Sequence, residues 1–376
     1  MNTQPPMLKK AASVLDLMKE TPLVALKGRA VSQPKAQLWA KLELAMPGQM
    51  KDRVALKAIE DAEARGQLKP GGVIAESSSG TMAEGLARVG AVKGYKVIIV
   101  TDPRIDIGLL NKLRAFGAQV DVVETYHPTG GWQHSRLVRL REVLHENPGA
   151  FWPRQYDSPS NPGAYTETMT HELVNALGPR IAALVGTVGS GGSLTGTAER
   201  LKALAPGVRI VAVDAVGSVI FHQPNGPRLQ SGHGNSIIAG NINYRVIDEA
   251  HWLSDGEVFN ACHELARRES IFGGGSSGAA YVVASWLAEQ FGPDQHVVAL
   301  MPDRGDRYCE TIYSREYLAK HNLIGVEAAA APVPIRYGVD VAERWSHAAV
   351  PHDGSVPYYA PSVMRSGDLT RALELE

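Results

Sequence analysis

Lys51 stands in the run Pro47-Gly48-Gln49-Met50-Lys51-Asp52-Arg53, upstream of two loops built from small residues. The first, Ser77-Ser78-Ser79-Gly80-Thr81, follows Val73-Ile74-Ala75-Glu76; the second, Gly189-Ser190-Gly191-Gly192-Ser193, follows Ile181-Ala182-Ala183-Leu184-Val185. A glycine- and serine-rich turn between a strand and a helix presents backbone N–H groups and the positive helix end to an anion. One such loop can take a phosphate and the other a carboxylate. A lysine nearby can hold an aldehyde cofactor as a Schiff base. The combination points to pyridoxal phosphate and amino-acid chemistry. No lysine follows the second loop in the GK[ST] manner, so it is not a nucleotide P-loop.

Positioning these loops requires alternating strands and helices, and the apolar pattern supplies them. Strands are predicted at 73–76, 97–100, 120–123, 181–185, 209–213 and 296–301. Helices are predicted at about 107–116, 134–145, 195–205, 255–269 and 277–290. This alternation gives an α/β fold with parallel sheets wrapped on both sides. Beyond residue 324 the periodicity breaks at an alanine run and at Pro332, Pro334, Pro351, Pro357 and Pro361. Residues 324–376 read as an appendage that wraps the body or is partly disordered. Tyr337, Trp345, Tyr358 and Tyr359 favour docking over a free tail.

The 376 residues suffice for two domains with real cores. Hydrophobic residues at 44% and charged residues at 20% fit a soluble globular chain. A formal net charge of −1 gives no electrostatic case for nucleic acid or an anionic membrane. The apolar runs are too short to span a bilayer, and residues 1–10 lack the apolar core of a signal peptide. The two cysteines, Cys262 and Cys309, form no metal-type or CxxC spacing, so no metal site is expected and a reducing cytoplasm is the default.

From Thr21-Pro22-Leu23-Val24 to about Leu318 the chain resembles the cysteine synthase and cystathionine β-synthase family of pyridoxal phosphate enzymes. The motifs carrying the resemblance come in the family's order: Thr21-Pro22-Leu23, Lys41-Leu42-Glu43, Lys51-Asp52-Arg53, Glu76 to Gly80, Gln155, Gly189 to Gly196, Gly275-Ser276-Ser277-Gly278 and Gly305-Asp306-Arg307-Tyr308. No one of them is specific; the ordered set is. Two further segments, Ala212 to Phe221 and Pro302 to Ser314, resemble the branch that makes precursors of 2,3-diaminopropionate. That branch joins the three-carbon unit of O-phospho-L-serine to the amino group of L-glutamate.

The resemblance implies a tryptophan synthase β-subunit-like fold (fold type II) with two parallel-sheet domains and the cofactor in the cleft between them. The larger, cofactor-binding domain would comprise 1–49 and 161–323, the smaller, substrate-closing domain 50–160, and 324–376 a C-terminal extension. It also implies a homodimer acting on small amino acids.

Residue roles follow by the same resemblance. Lys51 is the Schiff-base lysine and proton shuttle; on composition alone it would be a surface lysine. Gly189, Ser190, Gly191, Gly192 and Ser193 cradle the phosphate, where the bland alternative is a flexible turn. Ser78, Ser79, Gly80 and Thr81 close on the substrate carboxylate, or else simply cap a helix. Gln155 also touches the carboxylate. Ser276 bonds the ring nitrogen of the cofactor and, as a neutral partner, leaves it mostly unprotonated; the alternative is an N-cap for a helix starting at Ser277. Arg136 and Tyr156 face the leaving group or second substrate, a guanidinium being suited to phosphate or carboxylate.

The sequence departs from the family pattern at the lysine run, at the substrate loop, and again over Asp157 to Thr170. The usual Asn-Pro-x-Gly-Ser-x-Lys is shortened to Met46-Pro47-Gly48-Gln49-Met50-Lys51. Thr81 stands where the family has an asparagine bonding the 3′-oxygen of the cofactor, followed by Met82 and Ala83. A threonine hydroxyl can still bond that oxygen, and the methionine adds apolar volume that shifts substrate choice.

The expected reaction is β-replacement on an O-activated L-serine, with O-phospho-L-serine favoured, through an aminoacrylate. The incoming group is an amine such as L-glutamate, or a sulfur nucleophile. Two alternatives stand beside it. One is a β-eliminating lyase of the cysteine desulfhydrase or serine dehydratase type, giving pyruvate and ammonia. The other is a non-catalytic binding homologue.

Overall fold

The computed structural model describes residues 10–127, 131–352 and 365–367. Two sheets organise them. The strands are β1 (Leu23–Ala25), β2 (Gln37–Lys41), β3 (Val73–Ser77), β4 (Lys96–Thr101), β5 (Gln119–Val122), β6 (Ile181–Thr187), β7 (Arg209–Ala215), β8 (Glu249–Leu253), β9 (His296–Leu300), β10 (Val333–Pro334) and β11 (Ser346–Ala349). The helices are α1 (Lys51–Ala64), α2 (Thr81–Lys93), α3 (Ile107–Ala115), α4 (Gly131–Glu146), α5 (Ser160–Thr166), α6 (Met169–Leu177), α7 (Gly192–Leu204), α8 (Asp255–Glu269), α9 (Gly275–Leu287) and α10 (Arg315–Lys320).

An eight-stranded sheet has the order β1-β2-β9-β6-β7-β8-β11-β10, and a three-stranded sheet the order β3-β4-β5. The neighbours from β2 to β8 all run parallel, as do β3, β4 and β5. Helices cover both faces of such a sheet, so its strands read as unbroken apolar runs. Every residue of β6 and β9 is buried. The predicted strands and long helices are all present.

Glycines allow the closest helix packing. A Cβ on Gly196 of α7 would lie 2.1 Å from the Pro162 carbonyl oxygen of α5. A Cβ on Gly278 of α9 would lie 2.6 Å from Cys262 Sγ of α8. α1 is anchored differently, by charge. Arg53 Nε meets Glu43 Oε2 at 2.7 Å, and Arg53 Nη1 meets Glu172 Oε1 at 2.6 Å. Lys41 Nζ also bonds Glu172, and Thr21 Oγ1 donates to Glu43. Lys41, Glu43 and Arg53 are buried, so this balanced cluster fixes the start of α1 against β2 and α6. It gives the Lys41-Leu42-Glu43 and Asp52-Arg53 motifs a structural task.

The C-terminal extension docks. β11 pairs antiparallel with β8, and β10 pairs parallel with β11. Trp345 is buried and Tyr337 packs on the core. Tyr358 and Tyr359 lie outside the described residues. Among the described residues, no helix is long and apolar enough to cross a membrane.

Candidate active site

Lys51 is the first residue of α1 and sits beyond a tight turn. Gly48 N donates to Asp52 Oδ2 at 2.7 Å, and a Cβ on Gly48 would lie 2.4 Å from Asp52 Oδ1 and 2.7 Å from Arg88 Nε. Gln49 adopts φ +83°, a left-handed conformation unusual for a side-chain-bearing residue, and is almost wholly buried. The shortened run therefore forms a strained turn that delivers Lys51 inward. Lys51 is only partly exposed, and burial lowers its ammonium to about 8, against the pull of the Asp303 carboxylate. That is unlike a free surface lysine.

Asp303 follows β9 and is buried. Its Oδ1 accepts from Ser276 Oγ at 2.9 Å and its Oδ2 from Tyr308 at 2.5 Å. Burial raises its pKa, with Tyr308, Arg307, Ser276 and Lys51 opposing. Gly232, at φ +89°, crosses beside this cluster: its Cβ would lie 3.6 Å from the Tyr308 hydroxyl and 3.9 Å from Ser276 Oγ. The Gly232 carbonyl oxygen in turn lies 3.3 Å from the Cβ position of Gly189. Lys51, Ser276 and the Gly189–Ser193 loop are thus linked through Asp303 and Gly232. Ser276 is not a cap: α9 begins at Gly275 behind an N-cap at Gly274. Its hydroxyl lies 2.9 Å from Asp303 Oδ1.

The loop before α7 is a preformed anion cradle. Gly191 is the N-cap at φ +83° and offers no side chain, so the first-turn amides keep their donors free. A Cβ on Gly191 would lie 2.5 Å from Ile242 Cγ1, and one on Gly192 would lie 1.9 Å from Asn161 Oδ1. Ser190 and Ser193 are buried. Asn161 Nδ2 donates both to Ser190 Oγ at 3.0 Å and to the Gln155 carbonyl at 2.6 Å. Glycine is required here by space. A buried amine, a hydroxyl and an uncapped glycine-lined helix start fit the aldehyde, ring nitrogen and phosphate of pyridoxal phosphate.

The second loop follows β3. α2 starts at Thr81 behind an N-cap at Gly80 that makes no side-chain bond. Ser78 Oγ accepts from Gly80 N at 3.3 Å and so turns the loop without capping the helix. The Thr81 and Met82 amides stay available to a carboxylate, while Ala83 N donates to the Gly80 carbonyl at 3.1 Å. Gln155 is held beside this loop: its Nε2 donates to the Ser77 carbonyl at 3.1 Å and its N to Glu76 Oε2 at 3.2 Å. Glu76 also accepts from Trp152 Nε1 at 3.1 Å and from Ser77 N at 2.9 Å. Burial raises the Glu76 carboxyl to about 7 despite these bonds.

Arg136 and Tyr156 come together. Arg136 is buried on α4, with Nη1 3.3 Å from Asp102 Oδ2, and neither Nε nor Nη1 makes a hydrogen bond. Burial raises the Tyr156 phenol, and the Arg136 charge opposes it.

Asp303, Glu76 and Asn161 were not singled out as site residues from sequence. Asp303 had a signal, since it is a charge just beyond the apolar run Val297 to Met301 at the carboxyl edge of a parallel sheet. Asn161 had none.

Glu249, His251 and His347 bring ligand atoms within 4.8 Å of one another. Trp345 Nε1 donates to His251 Nδ1 at 3.1 Å, which places the proton of the neutral ring on Nε2. Nε2 faces Glu249 Oε1 at 3.2 Å, and His347 Nδ1 meets the same oxygen at 2.5 Å. The Trp345–His251 and His347–Glu249 bonds tie β11 to β8, while His251 Nε2 approaches Glu249 without making a hydrogen bond.

Two parallel sheets with uncapped glycine and serine loops at strand ends, and a buried lysine upstream of both loops in sequence, define the fold type II class of pyridoxal phosphate enzymes. The profile of the family described as "Pyridoxal-phosphate dependent enzyme" matches residues 14–303, and the chain belongs to that family. It is 39% identical over 326 residues to the N-(2-amino-2-carboxyethyl)-L-glutamate synthase of Ralstonia nicotianae, covering 86% of this chain and 96% of that protein. It is 36% identical to the probable cysteine synthase of Bacillus subtilis, covering 81% and 98%. The crystal structure of a hydrogen sulfide-producing enzyme from Fusobacterium nucleatum superposes with a TM-score of 0.75 at 31% identity, covering 81% of this chain and all (100%) of that one. The protein is a cysteine synthase-like, pyridoxal phosphate-dependent enzyme.

Proposed function

We propose that the protein catalyses β-replacement on O-phospho-L-serine, exchanging the phosphate for an amine such as L-glutamate. The observation that carries this reading is Arg136 beside Tyr156, a buried guanidinium that is ion-paired with Asp102 at 3.3 Å but whose Nε and Nη1 make no hydrogen bond. Buried donors left without a hydrogen bond are costly, and a phosphate or carboxylate would supply one. The likeness to the Ralstonia synthase supports the same choice.

The residues divide the work as follows. The α7 cradle (Gly189 to Ser193) holds the cofactor phosphate, Thr81 the 3′-oxygen and Ser276 the ring nitrogen. Bound pyridoxal phosphate supplies the electron withdrawal that makes the α-proton acidic. Ser78, Ser79, Thr81 and Gln155 hold the substrate carboxylate at the start of α2. Lys51 Nζ takes the α-proton; with its pKa near 8, a fair share of the amine is neutral at physiological pH. Arg136 holds the leaving phosphate. We assign residues 50–160, which carry the three-stranded sheet, to a smaller domain that closes on the substrate. We likewise assign the described residues of 1–49, with 161–323, to the larger, cofactor-binding domain.

The test is release of inorganic phosphate from O-phospho-L-serine with and without L-glutamate, beside the same reaction on O-acetyl-L-serine. Glutamate-dependent phosphate release is expected. Arg136→Met should raise KM for the phosphoserine by roughly 10- to 100-fold, the worth of a charged hydrogen bond, and leave O-acetylserine little changed. Preference for O-acetylserine would refute the donor assignment. Pyruvate formed without any nucleophile would establish elimination instead.

A further inference from the structure

Asp303 backs the Ser276 hydroxyl. Among the described residues its carboxylate is shared between two hydroxyls: Ser276 Oγ lies 2.9 Å from Oδ1, and Tyr308 donates to Oδ2 at 2.5 Å. Gly274 N donates to the Asp303 carbonyl at 3.0 Å, and a Cβ on Gly274 would lie 2.5 Å from Oδ1. Glycine at 274 therefore lets the carboxylate close on Ser276. Asp303, Ser276 and Tyr308 are all buried. Burial opposes ionisation of Asp303, while Tyr308, Arg307, Ser276 and Lys51 favour it. Cys262 and Tyr313 are the other titratable groups that feel this carboxylate. Its direct partners are thus hydroxyls rather than a cation. A buried carboxylate without a cation of its own is costly.

We propose that Asp303 is a positioning residue which, through the Ser276 hydroxyl, keeps the ring nitrogen of bound pyridoxal phosphate protonated. This role rests on the reading of Ser276 as the partner of that nitrogen. The Ser276 hydroxyl gives its one proton to Asp303 Oδ1, so its oxygen is left to accept, and the proton that completes the chain sits on the nitrogen. Two hydrogen bonds in series span at most about 6 Å. Over that reach an opposite charge shifts a pKa by about 1–3 units. The protonated nitrogen is in turn the cation that Asp303 lacks. A serine alone would leave the nitrogen mostly unprotonated and the cofactor a weaker electron sink. With the carboxylate behind it the sink is stronger, and the α-proton that Lys51 removes is more acidic.

The test is a pH titration of the ring-nitrogen NMR signal in full-length holoenzyme loaded with nitrogen-labelled pyridoxal phosphate, without substrate, beside Asp303→Asn and Ser276→Ala. The wild type should show the low-frequency, pyridinium-type signal at neutral pH. Asp303→Asn keeps the shape and an acceptor oxygen but loses the charge, and should lower the midpoint by about 1–3 units. Ser276→Ala should lower it by at least as much. A role confined to packing would leave the midpoint where it is. A free-pyridine signal in the wild type would overturn the proposal without recourse to any variant. An unchanged midpoint in Asp303→Asn would overturn it as well, and an unchanged midpoint in Ser276→Ala would overturn the assignment of the serine with it. No substrate is present, so this result stands apart from the β-replacement reading, which phosphate release tests separately.

Discussion

Gly192→Ala should break a link between the phosphate cradle and the substrate loop. The new Cβ would sit 1.9 Å from Asn161 Oδ1 and 2.5 Å from its Cγ, so the buried amide must swing away. It would then lose its bonds to Ser190 Oγ and to the Gln155 carbonyl. At about 1 kcal/mol for each hydrogen bond the loss is about 2 kcal/mol. The lower chain entropy of alanine offsets roughly 0.4–1 kcal/mol of that. A net destabilisation of about 1–1.5 kcal/mol is expected, roughly tenfold in the folding equilibrium, together with weaker cofactor retention as Ser190 shifts. Asn161→Ala should cost a similar amount by removing the same two bonds. The double variant is decisive: Asn161→Ala removes the three atoms nearest the added methyl, so Gly192→Ala should cost little on that background. Urea unfolding of the four holoenzymes measures this cycle. Additivity within about 0.5 kcal/mol would refute the clash argument.

Lys51 provides a second check. In cofactor-free protein, reductive alkylation at Lys51 should show a pH midpoint near 8, where an ordinary lysine would approach 10.5, and Lys51→Ala should abolish both turnover and the visible cofactor band. A midpoint above about 9.5 would show the amine to be solvated. Glu76 supplies a pH-dependent stability term. Its carboxyl titrates near 7 when folded, against 4.5 for an ordinary glutamate in the unfolded chain, so the folded state holds the extra proton between those values. That contribution is full below pH 4.5 and is lost as pH rises to 7, so Glu76→Gln should flatten part of the stability decline over that interval, measured by urea unfolding at each pH.

Long, strongly periodic elements were legible in the sequence because burial on one or both faces dictates their pattern. β6, β7, β9 and the helix Asp255–Glu269 are of this kind. β2 and β8 carry polar residues in Gln37-Leu38-Trp39-Ala40-Lys41 and Glu249-Ala250-His251-Trp252-Leu253, and their partners lie far along the chain, so periodicity alone misses them. The short helices α5 and α6 follow a proline-containing stretch and are held by contact with α7. The loops and Lys51 were legible as local motifs. What they touch was not, because Ser276 meets Asp303 27 residues on, and Asn161 reaches Ser190 29 residues on. Local sequence allowed a capping alternative for Ser78 to Thr81 and for Ser276, and both helices start behind glycines instead.

The hydrogen-bonded pairing of β11 on β8 also bears on how the molecule keeps to itself. All five residues of β8 are buried with β11 in place. Stripped of that cover, the large sheet would end in a bare row of amides and carbonyls flanked by Ala250, Trp252 and Leu253, a template for pairing with another chain. The extension replaces that edge with β10, two residues long and ending in Pro334, which has no amide hydrogen to donate. A chain cut before residue 333 would therefore expose an adhesive sheet margin and tend to aggregate edge to edge, so the extension also guards that margin against strand pairing with another chain.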